Sequence, residues 1–116
     1  MRVMSIIADI PVPDMERARA FYTDYLGLGE EEFSLGWVAR LTQPDTRASL
    51  QILTADATGP ENPAISVKVD EVEAAYREAV DRGYEIAHPL TQEPWGVYRF
   101  FVRGPGGVVI NIAQDH

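Results

Sequence analysis

The stretch from Val12 to Gly29, "VPDMERARAFYTDYLGLG", and a second from Val69 to Gly83, "VDEVEAAYREAVDRG", decide how this chain is read. In the first, Asp14 is placed to cap a helix and Glu16 to complement its dipole. Met15, Ala18, Tyr22, Tyr25 and Leu26 fall on one apolar stripe that stops before Gly27. In the second, Asp70 and Glu73 have capping-box spacing, and Val72, Ala75, Tyr76, Ala79 and Val80 form the stripe before Gly83. Aligning Val12 with Val69 also aligns Met15 with Val72, Glu16 with Glu73 and Ala18 with Ala75. The chain therefore reads as a duplicated unit, each copy with one amphipathic helix. Tyr22, Tyr25 and Tyr76, on the stripes, are expected in cores rather than in chemistry.

Strand-prone runs follow each helix: "GWVARLTQ" and "ASLQILT" in the first copy, then "YEIAHPL", "VYRFFVR" and "VVINIA" in the second. Matching the copies requires a further short strand near "EEEFS", whose three glutamates suit an edge. The expected fold is α+β: two βαβββ modules, about 1–57 and 62–116, forming a single domain over residues 1–116. Their mixed sheets curve around a cleft, each covered by one helix. Alternation in "AISVKV" puts Ile65, Val67 and Val69 on the helix side and Ala64, Ser66 and Lys68 on the other. In the last strand Ile110 and Ile112 take the helix side, leaving Val109, Asn111 and Ala113 opposite.

Composition narrows the function. Eighteen acidic against ten basic residues give a formal charge of -8, which works against nucleic acid or an anionic membrane as partner. No cysteine is present, so thiolate chemistry, disulfides and Cys-ligated metals are excluded. The opening run is broken by Asp9 and is too short for a secretion signal, and nothing later would span a bilayer. A cytoplasmic protein is expected.

The pattern V-x-D, A-x-x-F-Y, L-G-L in residues 12–28, the internal repeat, and "EPWGVYRFFVRGPGGVVINI" over 93–112 together resemble the vicinal oxygen chelate superfamily. That superfamily holds glyoxalases, bleomycin-resistance proteins and extradiol dioxygenases. The resemblance spans essentially the whole chain. It implies four metal-ligand positions, which here read Ile7, Gln51, Ala64 and Asn111. Two are hydrocarbon and two are neutral amides, a poor set for divalent cations. A shift of two residues would bring Asp9 to the first position without making the set a good one. The expectation is a protein with no metal and no other cofactor.

Gln51 and Asn111 either orient a ligand or satisfy each other and water. Trp95, in the turn "EPWG", is a candidate wall for an aromatic ligand; Trp37 is more simply a core or interface residue. Arg99, charged inside an apolar strand, either clamps an anion or pairs with a neighbouring acid. His88 and His116 are expected to be exposed. The candidate ligand-binding residues are thus Trp95, Arg99, Gln51, Asn111, Trp37 and Asp9. The resemblance implies a small-molecule-binding homodimer of the bleomycin-resistance type. The alternatives are a glyoxalase- or dioxygenase-like metal enzyme, or a metal-free one using Asp9, Tyr98 or Arg99.

Overall fold

The computed structural model describes residues 1–115; His116 lies outside them. The described residues form an α+β fold, with eight strands and two α-helices in βαβββ order repeated once. It divides into two compact units, residues 7–62 and residues 1–6 with the chain from Pro63 onward. Strand β1 (Val3–Pro11) begins in the latter and ends in the former.

In the 7–62 unit, β2 (Glu30–Ser34), β3 (Val38–Thr42) and β4 (Ser49–Leu53) follow the helix, in the order β2-β3-β4-β1. β1 runs parallel to β4, and the other pairs are antiparallel. The glutamate-rich run is indeed a strand, β2, with a bulge between Glu31 and Phe33. Its charges are matched: Glu30 and Glu32 pair with Arg47, and Glu31 with Arg19.

Helix α1 (Met15–Arg19) is capped by Asp14, whose carboxylate accepts the Arg17 N–H at 3.0 Å. It then widens into a π-helical turn, Ala20–Tyr25, in which Leu26 N–H bonds back to Phe21 O at 3.1 Å. This corrects the expected stripe. An i→i+5 turn advances the register by one residue, so Tyr25 and Leu26 swing out to 78% and 48% exposure. Leu28, beyond the left-handed Gly27 (φ 83°), is buried in their place. The core is Ala18, Leu28, Ala39, Leu41 and Ile52, with Met15 and Tyr22 packed on it.

In the other unit, β5 (Ile65–Val69), β6 (Ile86–Gln92), β7 (Val97–Arg103) and β8 (Val109–Asp115) form the order β5-β8-β7-β6. β5 and β8 are parallel, the rest antiparallel. Helix α2 (Val72–Asp81) lays Val72, Ala75 and Ala79 on Val67, Val69, Phe100 and Ile112, with Ile65, Tyr76 and Ile110 at the margin. The strand faces read from alternation hold. Val80 is the exception on the stripe, at 49% exposure.

The capping box does not form. Asp70 turns to the Arg2 N–H at 2.6 Å, a bond that holds its carboxyl below the usual range. The amide oxygen of Gln114, 42 residues away, takes the Val72 N–H at 2.9 Å instead. Spacing alone identified a local acceptor; the sheet supplied a nearer one.

Candidate functional site

Each unit turns one sheet face to its helix and carries its polar residues on the other. In the 7–62 unit that face bears a row of three cross-strand neighbours: Asp9 on β1 is in register with Gln51 on β4, which is in register with Arg40 on β3. The Gln51 amide is used at both ends. Its Nε2 donates to Asp9 Oδ1 at 2.7 Å, and its Oε1 accepts from Arg40 Nε at 3.3 Å and Nη2 at 3.0 Å. A carboxylate can only accept and a guanidinium only donate, so the network fixes the orientation of the amide. Asp9 is 4% exposed and Gln51 8%. Trp37 is half-buried just before β3, and its carbonyl accepts the Thr54 N–H at 3.0 Å.

The corresponding row in the other unit is Ser66, Asn111 and Phe101. Asn111 Nδ2 donates to Ser66 Oγ at 3.0 Å, while its Oδ1 is buried without a partner. Beside it on β7, Arg99 is 3% exposed, with its guanidinium carbon 5.0 Å from the Trp95 ring and 4.7 Å from that of Phe101. Its Nε donates to Glu93 Oε2 at 2.6 Å. The same oxygen lies 3.2 Å from His88 Nε2, and the imidazole packs on Phe101.

His88 is therefore not exposed, as its place before Pro89 suggests; it is buried at 8%. The hairpin turn that lifts Glu93 over the sheet, closed by Glu93 N–H to Val97 O at 2.7 Å, gives the imidazole an acid partner. Of the two readings of Arg99, pairing with an acid is the one found, in a buried cluster rather than at a strand edge. His116 lies outside the described residues.

The geometry thus joins Trp95 with Arg99, and Asp9 with Gln51, and adds three residues that sequence reasoning missed. His88 lies in β6 and Glu93 just after it, at the mouth of the turn, and that the carboxylate folds back onto the imidazole is announced by no local pattern. Arg40 carried a usable signal: a cation inside "WVARLT", the same anomaly that singles out Arg99.

The four positions that the resemblance marks for metal ligands do not fit a metal. Ile7 is a buried hydrocarbon, Ala64 is an exposed one ahead of β5, and Gln51 and Asn111 are amides bonded to Asp9 and Ser66. Among the described residues no three His, Asp or Glu side chains gather as a cation would require.

Residues 4–112 match the model of the Glyoxalase/Bleomycin resistance protein/Dioxygenase superfamily. Comparison with curated proteins gives no match. Among solved structures, a Legionella pneumophila protein named as an NAD-dependent benzaldehyde dehydrogenase superposes with a TM-score of 0.78 at 20% identity, covering 97% of this chain and 100% of that one. Methylmalonyl-CoA epimerase from Mycobacterium tuberculosis gives 0.72 at 22% identity, covering 98% and 89%. The Mn(II)-bound glyoxalase from Novosphingobium aromaticivorans gives 0.68 at 27% identity, covering 98% of this chain and 40% of that one. The first two likenesses are of fold alone.

Proposed function

Because the chain belongs to the Glyoxalase/Bleomycin resistance protein/Dioxygenase superfamily, we propose that it is a metal-free member that binds a small aromatic or polar compound. On this reading it sequesters its ligand as antibiotic-binding relatives do, as a cytoplasmic homodimer. The observation that carries the reading is the donor chemistry just described: no ionisable side chain occupies the four ligand positions, and the two that are not hydrocarbon are neutral amides, Gln51 with both its ends held by Asp9 and Arg40. Elemental analysis of extensively dialysed protein is expected to find zinc, nickel, iron and manganese far below one equivalent. Near-equimolar metal, or a metal-dependent isomerisation of a hemithioacetal, overturns the reading.

Ligand contact is assigned to Trp95, half-buried and braced by Arg99. With the guanidinium paired to Glu93, stacking and apolar burial rather than net charge supply the attraction at this ring. Truncating Trp95 to Ala is expected to weaken the best hit of a thermal-shift compound screen by about 1 kcal/mol or more, the cost of losing an aromatic anchor. Calorimetry checks this. Unchanged affinity in a variant that also unfolds more easily would make Trp95 a structural residue.

A metal-free enzyme is the second reading, favoured by one feature. His88 is held at Nε2 by Glu93, and a carboxylate that fixes an imidazole tautomer is how general bases are oriented.

A further inference from the structure

Four arginines are buried or half-buried: Arg19, Arg40, Arg99 and Arg103. Three of them hold carboxylates, Arg19 those of Glu16 and Glu31, Arg99 that of Glu93 and Arg103 that of Glu85. Arg40 holds none. In a chain with eighteen acids against ten bases, its hydrogen bonds among the described residues go to one neutral oxygen, Gln51 Oε1. A cation taken partly out of water is ordinarily paired, because desolvation penalises it and an amide returns only part of what is lost.

The arrangement holds the cation in place without neutralising it. Gln51 grips the guanidinium through Nε and Nη2, and Asp9 grips Gln51 from the far side, so the side chain is positioned while a glutamine lies between it and the carboxylate of Asp9. On the same strand face Thr42, two residues along β3, is 1% exposed and its hydroxyl has no hydrogen bond among the described residues. Phe33, half-buried, is the cross-strand neighbour of Arg40 on β2.

We infer that Arg40 is an anion-binding residue for a small monocarboxylate carried on an apolar or aromatic body. The guanidinium fork matches the two oxygens of a carboxylate. A single cation with the Asp9 carboxylate behind it favours one negative charge over two, which sets carboxylates above phosphate dianions. This rests on the small-molecule-binding reading but names a subsite, in the 7–62 unit, apart from Trp95.

The test is calorimetric titration of benzoate, its neutral analogue benzamide, and inorganic phosphate into the wild type, Arg40→Gln and Arg40→Lys, with a melting curve for each protein. Benzoate is expected to bind the wild type at least tenfold more tightly than benzamide and more tightly than phosphate. Arg40→Gln should erase the preference for benzoate, and Arg40→Lys, which keeps the charge without the fork, should retain part of it. Equal binding of benzoate and benzamide to the wild type, or full benzoate affinity in Arg40→Gln, overturns the anion site while leaving small-molecule binding intact. Phosphate binding more tightly than benzoate overturns the ligand class. Absence of benzoate binding overturns the proposal alone if a Trp95-dependent compound still binds, and the broader reading with it if none does. Should Arg40→Gln fail to fold, the wild-type comparison and Arg40→Lys decide the matter without it.

Discussion

Glu93→Ala is expected to destabilise the protein by about 3–5 kcal/mol, the range for removing one partner of a buried ion pair. Glu93 and Arg99 are both 3% exposed, and Glu93 Oε2 receives Arg99 Nε at 2.6 Å and faces His88 Nε2 at 3.2 Å. Deleting the carboxylate takes a charge partner from a buried guanidinium that packs on two aromatic rings, and takes from the imidazole the oxygen facing its Nε2. Urea denaturation measures the loss. The double variant Glu93→Ala with Arg99→Met should recover much of it, because the penalty comes from a buried charge that has lost a partner rather than from the missing contact alone. A loss below about 1 kcal/mol in the single variant, the range of exposed pairs, would mean that the cluster is open to water and not the buried unit described above.

Gln51 and Asn111 occupy matching places in the two repeats, yet they are expected to respond very differently to substitution. Gln51→Leu removes three hydrogen bonds to charged groups, leaving buried Asp9 and half-buried Arg40 without their shared partner. Counting the two contacts to half-buried Arg40 as one bond, at about 1.5–3 kcal/mol for each charge-assisted bond and partly offset by leucine burial, a net loss of about 2–4 kcal/mol is expected. Asn111→Leu gives up one neutral bond to Ser66 and also removes a buried oxygen that has no partner. Its effect should stay within about 1 kcal/mol of zero. Parallel denaturation curves compare the two, and equal losses would show that the amides are equivalent and that the Asp9–Gln51–Arg40 row has no special role.

The duplicated helix-and-strand pattern was legible because hydrophobic periodicity is a local property. Val67, Val69 and Ile112 reach the core that alternation assigns them, and Asp14 caps its helix with an oxygen only three residues from its donor. One failure had a competitor distant in sequence: Asp70 lost its capping role to Gln114. The other was local: a π-helical turn, which the 3.6-residue period does not anticipate, leaves Tyr25 exposed and Leu28 buried. The candidate site was legible only in part. Arg99 and Asn111 stood out as polar residues in apolar strands, but Arg40 had the same signature, and its lack of a carboxylate becomes visible only when its neighbours are known.

By itself the sequence determined the repeat, the α+β class, the order of strands after each helix, and the family, since these follow from period, turn residues and short motifs. It also determined that the positions which the resemblance marks for ligands carry hydrocarbon and amide, because identity at a position needs no coordinates. Only the tertiary structure decided the partners: that Glu93 serves Arg99 and His88 together, that Gln51 bridges Asp9 to Arg40, and that His88 is buried. The physical reason is that a charge or an amide is satisfied by whichever group the folded sheet brings within about 3 Å. Strand register places residues 6, 11 and 42 positions apart at that distance.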